Sequence, residues 1–302
     1  MSLMRGLFRK MHASEEIFRE QLGSDLWRLV GRVSSSLEEI TPLTCLPSRC
    51  SGRASFRLRF KSGQIIKGRR FETIVDAEMV ERISPVLDRR YFPRILSRHR
   101  AAMLTEWVEG EALSSQNCGL NLMRECGALH GRLHTIAPPR GLVCKVADRR
   151  IQLVQYLNEL TSLGVLSHGE KKQAVALALG HTHEHIATGI VHKDLCAENM
   201  VLSSSGRICV VDNETLSMGP YDYDLVRTWY RWPMTRAQLE AYLEGYDRYR
   251  GSAGFQAHFL FWAITVLAES ALFRLQRQTR DRDFPVARLK TLLKEGPSIS
   301  IL

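Results

Sequence analysis

No Cys-x-x-Cys pair, no His-Glu-x-x-His run and no internal repeat occurs in this chain of 302 residues. The seven cysteines are scattered without paired spacing, which excludes a disulfide framework and points to reduced thiols in a cytoplasmic protein. His181, His183 and His185 lack the order of a zinc-binding helix, and alternate residues point around a helix rather than together. They are expected at a solvated helix end. The basic first ten residues hold Leu3, Met4, Leu7 and Phe8 but no continuous apolar core, so no secretory leader is expected there. They suit a frayed terminus or, at most, a peripheral amphipathic contact with a membrane. The most apolar run, Phe255–Phe273, is interrupted by Gln256, His258 and Glu269, as in a buried helix rather than a membrane span. Acidic residues are in deficit. The 32 Asp+Glu against 42 Lys+Arg leave a formal charge of +10. That excess favours an anionic partner, either a nucleotide, a phosphorylated or lipid substrate, or a membrane; no nucleic acid is expected.

What is present is concentrated in one stretch, Ile190-Val-His-Lys-Asp-Leu-Cys-Ala-Glu-Asn-Met-Val-Leu202, followed by Arg207-Ile-Cys-Val-Val-Asp-Asn-Glu214. Two apolar, β-rich runs flank the turn signal Ser203-Ser-Ser-Gly206. The pattern predicts strand, loop, strand, turn and strand, with Asp212 closing the last. His192, Asp194 and Asn199 fall at the spacing H-x-D-x-x-x-x-N, the order of a kinase catalytic loop. Phosphoryl transfer needs these residue types. A carboxylate accepts the substrate hydroxyl proton, and an Asn oxygen with a second carboxylate holds Mg²⁺, a hard cation that prefers oxygen. The competing structural explanation is a β-hairpin whose Asp and Asn only cap turns.

This stretch resembles the aminoglycoside phosphotransferase and choline kinase family, protein-kinase-like enzymes that phosphorylate small molecules. Cys196 stands where protein kinases carry Lys, Asp212-Asn213-Glu214 replaces Asp-Phe-Gly, and Gly219-Pro220 with Asp224-Leu225 resembles the family's Gly-x-P-x-x-D-L. The likeness is specific over residues 190–225 and extends by pattern over 41–275. It implies an α+β, bilobal protein-kinase-like fold, with a small antiparallel-sheet N-lobe and a larger, mainly helical C-lobe. Residues 1–40 would form a helical extension, 41–109 the N-lobe and 110–302 the C-lobe. The implied activity is ATP- and Mg²⁺-dependent transfer of a phosphate to a hydroxyl of an aminoglycoside, amino alcohol or sugar-like acceptor. Asp194 would be catalytic, Asn199 and Asp212 metal ligands, and His192 and Asp224 supports of the loop. Glu214 is a candidate for binding the acceptor. Two rivals stand beside this reading: a protein kinase, or a silent nucleotide-binding scaffold. Only eleven residues separate Asp212 from Asp224, with no Ala-Pro-Glu among them, so a long peptide-docking segment is absent.

Upstream, Ile17, Phe18, Leu22, Leu26, Leu29, Val30 and Val33 recur at helical spacing over 14–33. Residues 41–67 read as three strands, with Phe56, Leu58 and Phe60 alternating with Arg57 and Arg59. On the kinase reading the turn at Ser51–Ser55, with Gly52 its only glycine, covers the ATP phosphates. Lys67 pairs with phosphate oxygens, and Glu78 or Glu81 of the helix over 71–87 pairs with Lys67. Backbone groups near Glu106 and Val108 hold adenine. Downstream, helices are expected over 119–136, 151–160, 170–188 and 237–250, the last opened by a Thr235–Gln238 capping box. Tyr221, Tyr223, Trp229, Tyr230 and Trp232 form either a cage for a quaternary ammonium or part of the core.

Overall fold

The computed structural model describes residues 2–43, 52–114, 116–142, 144, 148–181, 186–279 and 281–295, with side chains from residue 15 onward. The first part of the Ser51–Ser55 turn, His183 and His185, the side chains of residues 1–10 and the tail from Gly296 lie outside the described residues. Internal contacts divide the chain into two units. One holds residues 1–85 and 92–109, the other 86–91 and 110–302.

The first unit is a helix-backed antiparallel sheet. Helix α1 (Ser2–Val30) precedes strands β1 (Leu37–Pro42), β2 (Ala54–Phe60) and β3 (Ile65–Arg70). Helix α2 (Ile74–Ile83) is followed by β4 (Ile95–His99) and β5 (Ala102–Glu106). The strand order is β1-β2-β3-β5-β4. Strand β1 starts at Leu37, inside the segment expected to be helical, and α1 is no detached extension. Its Leu22, Leu26, Leu29 and Val30 are buried with Leu58, Phe60, Ile66 and Leu104. Gly68 makes the close approach possible, because a Cβ there would lie 2.8 Å from Leu58 and 3.2 Å from Leu26. Ile17 was expected on the packed face but is exposed. The reason is Gly23, whose φ of 72° breaks the helix and its periodicity. Thr73 caps α2 by accepting from the Asp76 N–H, and Pro85 falls in the 3-10 turn that ends it.

The second unit is mainly helical. It contains β6 (Glu111–Ala112), α3 (Leu120–Thr135), α4 (Arg149–Ser162) and α5 (His168–Leu179). The helix expected over 170–188 stops at Gly180, and β7 (Thr188–Val191) begins soon after. Then come β8 (Met200–Leu202), β9 (Ile208–Val210), β10 (Ser217–Pro220), α6 (Tyr221–Arg231) and α7 (Arg236–Asp247). The chain continues through α8 (Ala253–Ala257), α9 (Phe259–Gln276) and α10 (Asp283–Glu295). By length and composition α9 could cross a membrane, but it is largely buried among α4, α5, α6, α8 and α10. It is the core helix of this unit.

An unusually close contact joins α3 to α7. A Cβ on Gly127 would lie 1.8 Å from the Tyr242 carbonyl oxygen, and one on Gly131 2.6 Å from that of Tyr246. Both contacts advance four residues on each helix, so the helices run parallel, one turn matching one turn. Gly245 makes the reciprocal approach to the Arg124 carbonyl. Glycine is required there by space, not by backbone angle. Gly127→Ala should therefore destabilise the protein by about 1–3 kcal/mol, the usual cost of overpacking. Gly251→Ala, with nothing within 4 Å of the new Cβ, should leave the urea midpoint nearly unchanged. Equal midpoints for the two variants would show that the helices can part without cost.

Candidate active site

The chain leaves β7 at Val191 and enters a loop closed by a 3-10 turn at Ala197–Asn199. Two backbone amides at its start are fixed by one side chain. His192 N–H donates to Asp224 Oδ2 at 2.7 Å, and Lys193 N–H to Oδ1 at 2.6 Å. Lys193 has a φ of 64°, a left-handed conformation costly for a residue with a Cβ. The two amide bonds hold it there.

Asp224 lies in the first turn of α6 and is fully buried. The parallel packing of α3 and α7 surrounds it with a ladder. His130 Nε2 and His134 Nε2 each lie 3.1 Å from Asp224 Oδ2. Their Nδ1 atoms meet the hydroxyls of Tyr242 at 2.7 Å and Tyr246 at 2.8 Å. Burial alone would push the Asp224 carboxyl up, but hydrogen bonds from His130 and His134 outweigh it and hold it well below the usual range. Burial, reinforced by the adjacent His130, pushes the His134 imidazole down to about 3. Neutral His134 with its proton on Nε2 thus donates to Asp224 and accepts from Tyr246. His130, His134 and Asp224 also have the spacing of a metal site. Hydrogen bonds account for their arrangement, and all three are buried.

The chemistry-bearing side chains stand above this support. Asp194 Oδ2 accepts from Asn199 Nδ2 at 3.1 Å, and the Asp194 carbonyl accepts from the same nitrogen at 2.8 Å. With its nitrogen engaged by Asp194, Asn199 leaves Oδ1 as the atom that could serve as a ligand. Strands β8 and β9 pair Met200 with Val210, and Val211 N–H donates to the Asn199 carbonyl at 2.8 Å. The hairpin therefore brings Asp212 to the same end as Asn199. Asp212 is left-handed, with a φ of 59°. An amide oxygen and a carboxylate at one hairpin end form a donor set suited to a hard divalent cation. His192 is buried, and Nε2 lies 3.1 Å from Asn213 Oδ1, which ties the loop to the residue after Asp212.

The phosphotransferase enzyme family model matches residues 56–258, about two thirds of the chain. The chain belongs to that family. Choline kinase LicA from Streptococcus pneumoniae superposes with a TM-score of 0.66 at 14% identity, covering 94% of this chain and 99% of that one. A choline/ethanolamine kinase family protein from Mesorhizobium loti gives 0.64 at 19% identity, with 94% and 96% covered. Macrolide 2'-phosphotransferase MphH from Brachybacterium faecium gives 0.61 at 15%, with 87% and 95% covered. The protein-kinase-like α+β fold is thereby shown. A comparison with curated protein sequences finds no match.

In this family member the remaining expected residues fall as follows. Lys67 is half-buried on β3, opposite Arg57 and Thr105, on the face away from α1. Glu78 and Glu81 both reach Arg98 of β4, at 3.8 and 2.6 Å. Gly52 has a φ of 64° in the turn before β2. Glu106 ends β5, and its N–H donates to the Arg94 carbonyl at 3.0 Å while its carboxylate pairs with the Arg94 side chain at 3.1 Å. Val108 follows in the extended segment before the second unit. Glu214 sits in the 3-10 turn after Asp212.

The aromatic cage is not formed. Tyr221, Tyr223, Tyr230 and Trp232 are buried, and the half-buried Trp229 carries the Arg288 guanidinium 4.2 Å from its ring. Arg250 covers Tyr221 at 3.8 Å. Cys196 is buried and its thiol is pushed up to about 12 by burial, so it is inert at neutral pH.

Two residues escaped the sequence reading. Arg231 Nε lies 3.0 Å from Asp194 Oδ1, and Arg227 Nη2 lies 3.8 Å from it. Both were findable from helical phase. They stand three and seven residues after Asp224, on the face of α6 that must look at the loop.

The Asp224 cluster predicts an acid-sensitive fold. A histidine free in the unfolded chain titrates near 6.5, and folded His134 near 3. Between those values the unfolded chain binds more protons, so this stability is complete above pH 6.5 and is lost as pH falls through the window. Asp224, depressed in the fold, has the same sign, its contribution being lost as pH falls through the folded value. Urea midpoints should fall steadily from pH 7 to pH 4.5, and His134→Gln should be less stable at pH 7 with a flatter decline. A level midpoint in the parent would mean that His134 is not held neutral.

Proposed function

We propose that the protein is a cytoplasmic kinase that uses ATP and magnesium to phosphorylate a hydroxyl of a small molecule. The observation that carries this is Asp194, Asn199 and Asp212 gathered at one hairpin end, above a loop clamped by Asp224. Asp194 accepts the acceptor's hydroxyl proton and orients its oxygen. Asn199 Oδ1 and the Asp212 carboxylate would hold magnesium. Bound there, the ion would neutralise charge developing on the transferred phosphoryl group. Lys67 positions phosphate oxygens, assisted by Glu78. The turn at Gly52 offers backbone N–H groups to phosphates, and the Glu106–Val108 backbone holds adenine. His192 and Asp224 hold the loop, so the contribution of the fold is chiefly positioning. Nucleotide use is supported by the family and by a solved structure of LicA in complex with AMP.

The test is magnesium-dependent ADP release with a panel of hydroxyl compounds. Asp194→Ala should lower transfer by about 10²–10⁴-fold, as loss of a general base does, while calorimetry shows Mg·ATP still bound. Asp212→Asn should weaken Mg·ATP binding and its metal dependence, because one anionic oxygen ligand is lost. Undiminished transfer in Asp194→Ala would remove that residue from the chemistry. Nucleotide binding with no transfer to any acceptor would favour a scaffold.

A further inference from the structure

Basic side chains crowd Asp194. Arg231 and Arg227 both approach its carboxylate. Arg227 also donates from Nε to the Lys193 carbonyl at 3.0 Å and from Nη1 to Ser270 Oγ at 3.1 Å. It is thereby fully engaged in holding the loop. The Lys193 ammonium makes no hydrogen bond or ion pair among the described residues. Burial, together with repulsion from Arg149, pushes its pKa down. Arg149 donates from Nη1 to Gln152, but its Nε is buried without a partner. Against these four cations stand Asp194, Glu269, which accepts from the Tyr223 hydroxyl, the exposed Glu198 and the buried Asp224, which acts on Lys193.

Arg231 is the member best placed to receive a ligand. Its side chain is 28% exposed, and its second contact is Glu198 at 3.6 Å, a carboxylate 81% exposed. Such a contact is weak and easily exchanged. The aromatic rings that would attract a cationic acceptor are buried or already stacked on arginine. We propose that the acceptor is an acidic hydroxyl compound, carrying its own phosphate or carboxylate beside the reacting hydroxyl, and that Arg231 binds that acid group. The proposal rests on the kinase reading above and names the substrate class of the same site.

Calorimetry decides it. The protein saturated with magnesium and a non-hydrolysable ATP analogue is titrated with glycerol 3-phosphate, glucose 6-phosphate and gluconate, then with glycerol, glucose and choline. Acidic compounds should bind saturably and at least about tenfold tighter than their neutral counterparts, the usual scale of a charge-assisted hydrogen bond. Comparing the two phosphates with gluconate separates phosphate from carboxylate recognition. Arg231→Gln should abolish the preference, and Arg231→Lys should restore part of it. Equal or tighter binding of the neutral compounds or of choline, no binding of any acidic compound, or a preference that survives Arg231→Gln would overturn the proposal. If the nucleotide analogue itself fails to bind, the kinase reading fails instead. The same titrations into nucleotide-free protein still decide the charge of the ligand.

Discussion

A single buried carboxylate sets the geometry of the loop that carries Asp194. Asp224 accepts two backbone amides from the loop and lies within hydrogen-bonding distance of two imidazoles from α3. Burying an anion is costly, and it is tolerated here because nitrogen donors surround it. The same bonds keep Lys193 left-handed. Without Asp224 the loop would lose both its anchor and the reason for its shape. Asp194 and Asn199 would then no longer be aimed by the backbone.

The support for Asp224 begins far from the chemistry, in three glycines. Gly127, Gly131 and Gly245 let α3 and α7 approach until carbonyl oxygens touch the opposing backbone. At that separation His130 and His134, four residues apart on one helix, stand opposite Tyr242 and Tyr246, four apart on the other. Each imidazole bridges a tyrosine hydroxyl and the carboxylate. Added bulk at Gly127 would therefore act on the loop as well as on stability, since it moves the histidines that hold Asp224.

Where a local signal existed, the sequence was readable. The strand–loop–strand course around Asp194, the turn at Ser203–Gly206 and the Thr235–Gln238 capping box are all local patterns, and all are present. The alternation of Phe56, Leu58 and Phe60 located β2 because one face of a half-buried strand must be apolar. Long-range pairing was not readable. Arg98 engages Glu78 and Glu81 from a strand that follows them by an intervening turn, and nothing in its neighbours marks it. Ile17 kept the helical period but lost its partner, because the break at Gly23 is a backbone event invisible to periodicity. The helix read through residues 170–188 ends earlier, at Leu179 with Gly180 as its cap.

The aromatic segment around Asp224 carries the most general lesson about recognition. Aromatic residues close to a catalytic loop permit two opposite conclusions, a cage for a cation or a packed core. Composition does not separate them; the partners of each ring do. Here Arg288 and Arg250 lie on Trp229 and Tyr221, so the electron-rich faces are satisfied within the chain. The Arg227 and Arg231 guanidinium groups of α6 meanwhile approach the Asp194 carboxylate. If Arg231 binds the acceptor as proposed, the site selects by attraction to acid groups. The electrostatics of such an acceptor side would differ from those of a cation-binding kinase while the fold beneath is shared. Specificity can change in this way without moving the loop, because Asp224 holds its backbone amides while Arg231 meets a side chain.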